Sequence, residues 1–163
     1  MNNNNELLLE MIKYYEGDPK RIQHFLKVYE FSKLIGELEN LDKETQFILE
    51  TSAIVHDIGI KAAEEKYQSS NGKLQEQEGP AIAKDMLSSL GYKAGIIDRV
   101  CFLVGHHHTY TNIDGMDYQI LVEADFLVNI YEDNLSKEAA LKALNNIFRT
   151  KAGINLIKTM FAL

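Results

Sequence analysis

His56 and Asp57 stand side by side in the stretch TSAIVHDIGIK, residues 51 to 61. Ala53, Ile54 and Val55 lead into the pair, and Ile58, Gly59 and Ile60 follow it. An imidazole and a carboxylate at the end of a buried segment are costly unless they are paired or hold a metal. Two more ionisable residues fall on apolar helical faces. His24 shares its face with Val28, Phe31 and Ile35. Asp125 has Leu121, Val122 and Val128 as helical neighbours, with Ala124 and Phe126 beside it. A carboxylate in that setting has to be paired, protonated or metal-bound. Two imidazoles and two carboxylates form a mixed N/O donor set. It suits Mn, Fe, Co, Ni or Zn better than Mg or Ca, which favour all-oxygen shells. Four protein ligands would leave positions on an octahedral ion for water and substrate, and helix bundles build such sites from facing helices. Each residue also has a purely structural explanation. A core His can donate to a backbone carbonyl, a buried Asp can cap a helix or pair with Arg21 or Arg99, and a helix-end doublet can point to solvent. Each explanation holds singly; all of them together are harder to sustain.

The elements that must position these residues are helical, because apolar residues recur at helical spacing almost everywhere. Leu7, Leu8, Met11, Ile12 and Tyr15 mark a first short helix. Asp18 and Pro19 open a second, running to about Glu39. Asp42 caps a third that reaches His56 and Asp57, with Gly59 as its breaker. A short helix follows at 60–67, and the polar segment 68–77, with its Asn-Gly pair, reads as a loop. A helix with Pro80 near its start ends before Gly91, and another over 93–107 ends in three histidines. After a loop at 109–115, 117–133 is a strongly apolar helix. Ser136 caps the next, and a last one covers about 152–161. The expectation is an all-α, single-domain bundle of seven to nine helices. Its motif-bearing core spans about 18–133, and helices at about 136–161 pack on it.

The chain has 163 residues, 45% hydrophobic and 25% charged, ordinary values for a globular domain with a real core. A formal net charge of -7 argues against binding a nucleic-acid polymer through a broad basic surface. No apolar stretch approaches a membrane span, and the start, MNNNNELLLEM, lacks the basic and apolar regions of a secretory signal. The four asparagines read as a frayed end. The one cysteine, Cys101, permits no intramolecular disulfide and reads as a buried, inert thiol. The expected location is cytoplasmic; composition leaves the oligomeric state open.

Three segments in order, RIQHFLKVYEFSKLIGE, ETSAIVHDIG and LVEADFLVN, resemble the HD-domain superfamily of metal-dependent phosphohydrolases. That family is named for its H…HD…D pattern, and the matching positions are His24, His56, Asp57 and Asp125. The resemblance covers roughly 18–133. It implies an all-α fold, those four residues as metal ligands and hydrolysis of a phosphoester. The expected cofactor is one divalent transition-metal ion per chain, with two as the alternative. The expected substrate is a small phosphorylated molecule such as a nucleotide or a phosphomonoester or diester. Subgroups with more metals carry further histidines, one of them often just before a Gly that opens a helix. The matching position here is Gln75, so that ligand is absent, and Glu76 and Glu78 read as solvated. VGHHHTYTNIDG is similar to the paired histidines and DG of the cyclic-dinucleotide phosphodiesterase branch. Its GYP is replaced by GMD, and Ile60 stands where a Lys often follows HDIG, so that activity is not carried over.

Of the three remaining histidines, His108 reads as solvated. His107 shares a face with Val100 and Leu103, and His106 follows Gly105. Both are expected at the rim of the metal site, holding a second ion or protonating the leaving oxygen, since an unperturbed pKa of about 6.5 suits that task. Asp57 would be ligand, water-orienting carboxylate and, with two ions, bridge. Arg21, one turn before His24, and Lys61, four residues after Asp57, are candidates to neutralise substrate phosphate, against the plainer reading of surface cations. Rival functions are a phospho-ligand binding module without turnover, an oxygen-using di-iron enzyme of the same fold, and a metal-free bundle.

Overall fold

Caps decide where the helices begin. Asp18 accepts a hydrogen bond from the Arg21 N–H and Pro19 takes the first helical position, so α2 (Pro19–Leu38) starts where its sequence signal says. Asp42 accepts from Glu44 and Thr45 at the start of α3 (Lys43–Val55), and Ser136 accepts from Ala139 at the start of α8 (Lys137–Asn146). The computed structural model describes residues 4–163. The other elements are α1 (Asn4–Tyr14), α4 (Ile60–Tyr67), α5 (Gly72–Ser89), α6 (Ala94–Val104), α7 (Met116–Glu132) and α9 (Lys151–Phe161). The described residues thus form nine helices and no strand. None of these helices is long and apolar enough to cross a membrane.

The helices enclose two apolar clusters. One gathers Val28, Ile35, Leu49, Leu121, Leu127 and Ile157 around α7. The other joins Leu7, Met11, Phe25, Val55, Leu87 and Val100. α2 and α3 contribute to both, so the seam between the clusters runs through them. α7 is buried nearly all round, twelve of its seventeen residues, which makes it the central helix rather than an amphipathic surface one. Its Glu123 is fully buried and accepts from the backbone N–H groups of Arg149 (2.6 Å) and Thr150 (2.9 Å), tying the start of α9 to the core.

Four local departures from the sequence expectations bear on the site. α3 stops at Val55, and His56 to Gly59 form a turn. The expected loop at 68–77 shrinks to 68–71, because Asn71 accepts from the Leu74 N–H and starts α5 at Gly72. Pro80 consequently lies inside α5 rather than near its start; Gly79 before it has no Cβ to clash with the proline ring. α6 ends at Val104, so the three histidines occupy a turn beyond it. The asparagine tract is also not wholly frayed. Asn4 is buried in α1, where its side-chain oxygen accepts from Thr51 (3.1 Å) and Tyr92 (2.9 Å), two buried hydroxyls that need an acceptor. Residues 1–3 lie outside the described residues.

The turn after α3 lies directly against α5. A Cβ on Gly59 would stand 2.5 Å from the Gln75 carbonyl oxygen and 2.8 Å from the Gly79 nitrogen, both backbone atoms that cannot swing aside. Tyr15, just past α1, and Tyr14, its last residue, grip the same turn by donating to the carbonyls of Asp57 (2.6 Å) and Ile58 (3.2 Å). We expect Gly59→Ala to destabilise the protein by about 1–3 kcal/mol, the usual range for overpacking, read by urea unfolding. An unchanged midpoint would show that the crossing has slack.

Candidate metal centre

Three imidazoles and two carboxylates meet at the seam. His24 comes from α2, His56 and Asp57 from the turn after α3, His107 from the turn after α6, and Asp125 from the middle of α7. His24 Nε2 lies 3.1 Å from Asp57 Oδ2, 3.2 Å from Asp125 Oδ1 and 3.2 Å from His56 Nε2. His56 Nε2 lies 3.4 Å from Asp57 Oδ2 and 3.5 Å from Asp125 Oδ1. His107 Nε2 lies 3.3 Å from Asp57 Oδ1.

The other ring nitrogens explain the orientation. His56 Nδ1–H donates to the Ala53 carbonyl (2.7 Å) and His107 Nδ1–H to the Val104 carbonyl (2.8 Å). His24 Nδ1 is 2.5 Å from Glu132 Oε1, whose other oxygen accepts from Lys27 (3.2 Å). With each Nδ1 occupied, His24 and His56 present Nε2 to Asp57 Oδ2 and Asp125 Oδ1, and His107 presents its Nε2 to Asp57 Oδ1. His107 Nε2 is buried without a hydrogen-bond partner among the described residues, a cost that a bound ion would remove. Ligand bonds of about 2.1 Å place neighbouring donors about 3.0 Å apart on an octahedral ion and about 3.4 Å apart on a tetrahedral one. The observed spacings match that range, so the residues fit a transition-metal ion.

Without an ion, protons hold the cluster together. Burial works against the His24 charge, but the hydrogen bonds to Asp125 and Asp57 prevail and raise its pKa to about 11. Burial likewise opposes the His56 charge, and the Asp57 carboxylate prevails, raising it to about 10. Burial also opposes the two carboxylates, yet the imidazoles hold Asp57 and Asp125 below the usual carboxylate range. An ion taking these donors displaces the imidazole protons.

Asp57 faces two ways. Oδ2 is turned to His24 and His56, and Oδ1 to His107. Asp57, His107 and His108 form a second group whose potential donor atoms lie within 4.8 Å of one another. A cavity of about 410 Å³ opens over His24, Asp57 and Asp125, with Arg21, Gln75 and His108 in its walls.

The sequence assignments fare unevenly. His24, His56, Asp57 and Asp125 come together as the family resemblance implies, and His107 approaches Asp57 from its other side. His106 does not. Its Nδ1 donates to the Phe102 carbonyl (2.6 Å) and its ring stacks on Phe102, because the turn sends successive side chains to different sides. His108, expected in solvent, takes a place in the cavity wall, its Nε2 2.9 Å from Gln75 Oε1. Burial and the neighbouring His107 push its pKa down to about 4, so it is neutral near pH 7. Glu76 is not solvated either. It accepts from the His108 N–H (3.0 Å) and the Thr109 hydroxyl (2.8 Å), which fixes the histidine turn. Glu78 is bound to Lys66 and Tyr67. Arg21 lines the cavity mouth, but its guanidinium forks onto Glu64 and also reaches Asp18. Lys61 is outside the cavity lining: its ammonium sits 3.4 Å from the Tyr14 carbonyl and over the Tyr14 ring. Arg99 is engaged by Asp114 and Asp117, so it does not neutralise Asp125. Sequence reasoning missed Glu132 and Asn129, which hold His24 and Asp125. Their signal was spacing, four and seven residues after Asp125 on one helical face.

A family model described as HD domain matches residues 21–144. A crystal structure of a predicted HD superfamily hydrolase from an uncultured Thermotogales bacterium matches with a TM-score of 0.70 at 20% sequence identity. The match covers 97% of this chain and 84% of that one, a likeness of fold. No curated protein matches the chain.

A carboxylate behind a ligating imidazole fixes its tautomer and raises its basicity. Glu132→Ala should therefore weaken transition-metal affinity by roughly 10–100-fold, measured by competition with a chromophoric chelator. Glu132→Gln, which keeps an acceptor for His24, should recover part of the loss. Equal affinity in the wild type and Glu132→Ala would mean the contact is idle.

Proposed function

The chain belongs to the HD-domain family, and on that premise we propose that it is a metal-dependent phosphohydrolase acting on a small phosphorylated substrate. The observation that carries this reading is that His24, His56, Asp57 and Asp125 come together at the floor of an open cavity, with His107 on the other side of Asp57. A structural polar network needs no solvent-accessible cavity above it.

A divalent ion held by these residues supplies the Lewis acidity that phosphoester hydrolysis draws on. The chain's own groups do the rest. His24, His56 and Asp125 fix the ion's place, since each is anchored from behind by Glu132, Ala53 or Asn129. Asp57 Oδ1, turned to His107 and away from His24 and His56, orients the attacking water and accepts its proton. The water oxygen bonds to phosphorus, the P–O ester bond breaks, and the leaving oxygen takes a proton from solvent. Arg21 supplies positive charge at the mouth, reduced by Glu64 and Asp18. His106 faces away and takes no part. The two-sided placement of Asp57 favours a second reading in which His107, His108 and Asp57 would hold a second ion.

After reconstitution with Mn, Fe, Co, Ni or Zn, the protein should release p-nitrophenol from p-nitrophenyl phosphate. Asp57→Ala should lower that rate by about 100-fold or more, and His106→Ala should leave it within about twofold, as expected for a group outside the site. No turnover with any of these ions would overturn the reading in favour of a binding module.

A further inference from the structure

The cavity walls carry information about the body of the substrate that the metal ligands do not. No Phe, Tyr or Trp is among the described residues that line it, and Ile60 is its one aliphatic side chain. A nucleobase gains about 1–3 kcal/mol from stacking on an aromatic face, and this cavity offers no such face. The imidazole in the wall, His108, is held against His107 and bonded to Gln75. A base entering here would lose water and gain little.

Charge points the same way. Beyond Asp57 and Asp125, the lining carries the carboxylates of Asp18, Glu132 and Asp133. Arg21 is engaged by Glu64 and Asp18, which leaves Lys20 as the cation of the lining with no ion-pair partner among the described residues. Asp18 and Glu132 are paired with Arg21 and Lys27, so Asp133 is the extra lining carboxylate with no ion-pair partner among the described residues; one phosphoryl group can sit at a divalent ion, whereas a chain of phosphates running toward Asp133 would meet like charge.

What the wall does offer is acceptors. Asn129 gives its amide N–H to Asp125, which leaves its oxygen available. Asp133, one turn further along the same face, is exposed and has no ion-pair partner among the described residues. Acceptors at the rim of a hydrophilic cavity of about 410 Å³ suit the hydroxyls of a small polyol.

We propose that the substrate is a compact polyhydroxylated phosphomonoester of the sugar-phosphate class, held by its phosphoryl group over His24, Asp57 and Asp125 and by its hydroxyls at Asn129 and Asp133. The reaction consumes water and yields the free sugar and inorganic phosphate. This inference rests on the phosphohydrolase reading above.

The test pairs substrates that differ in the base alone: ribose 5-phosphate against adenosine and uridine 5'-monophosphate, with p-nitrophenyl phosphate as reference. All are assayed on the full chain loaded with its most active metal. The expected result is a kcat/KM about tenfold or more higher for ribose 5-phosphate than for either nucleotide. In addition, Asp133→Ala, an exposed change that removes the acceptor and leaves folding intact, should raise KM for ribose 5-phosphate by about threefold to tenfold with kcat held. Preference for a nucleotide overturns the proposal. Turnover of p-nitrophenyl phosphate with none of ribose 5-phosphate also overturns it, and both results leave the hydrolase reading standing. An unchanged KM in Asp133→Ala overturns the assignment of the rim. No turnover of any substrate, the reference included, removes the hydrolase reading and this proposal with it.

Discussion

The rest of the structure depends on keeping five ionisable side chains in one buried place without letting them repel or orphan one another. His56 and His107 are fully buried and Asp125 nearly so. Burying a charge is tolerable only when it is paired and hydrogen-bonded. Protons shared between imidazoles and carboxylates meet that condition, and His107 Nε2, which lacks a hydrogen-bond partner among the described residues, would be satisfied by an ion held beside Asp57. The architecture follows from this demand. α2 and α7 bring one side chain each, the turn after α3 brings two and the turn after α6 one, and the groups behind them (Glu132, Asn129, and the carbonyls of Ala53 and Val104) fix the rings and carboxylates.

Such a preorganised floor makes the turns as consequential as the helices. The turn after α3 holds Asp57 because Gly59 lets it lie on the α5 backbone and because two tyrosines clasp its carbonyls. The turn after α6 holds His107 because Glu76 accepts from the next residue's N–H. Both turns are braced from α5, whose early start at Asn71 places Gln75 and Glu76 against the histidines. Catalytic reach therefore depends on a helix that contributes no metal ligand to the first cluster.

Much of this was legible in the sequence. Asp18, Asp42 and Ser136 announce their helices because capping is a local interaction between neighbours in the chain. His24 and Asp125 stand out because each is an ionisable residue on an apolar helical face, and the H…HD…D pattern that joins them to His56 and Asp57 is legible as a resemblance to the HD-domain family. What stayed hidden was non-local. Nothing in GHHHT tells which histidine a turn will point inward, so His106 and His108 exchanged places relative to expectation. Pro80 reads as a helix start until the Asn71 cap and Gly79 show that the helix passes through it. Lys61 has suitable spacing from Asp57, yet the turn at 56–59 directs it to Tyr14. Glu132 was hidden because its role exists only once α2 and α7 are packed together.

The central claim is that the cluster of His24, His56, Asp57, His107 and Asp125 exists to hold a metal ion. Its most direct test is elemental analysis of the protein purified without chelator or affinity tag, beside Asp125→Ala prepared in the same way. The account predicts at least about one transition-metal ion per chain in the wild type, as a closed donor set of this kind requires, and little or none in Asp125→Ala. A wild-type protein that holds no metal, even after incubation with Mn, Fe, Co, Ni and Zn, would contradict it and leave the cluster a proton-bonded structural network.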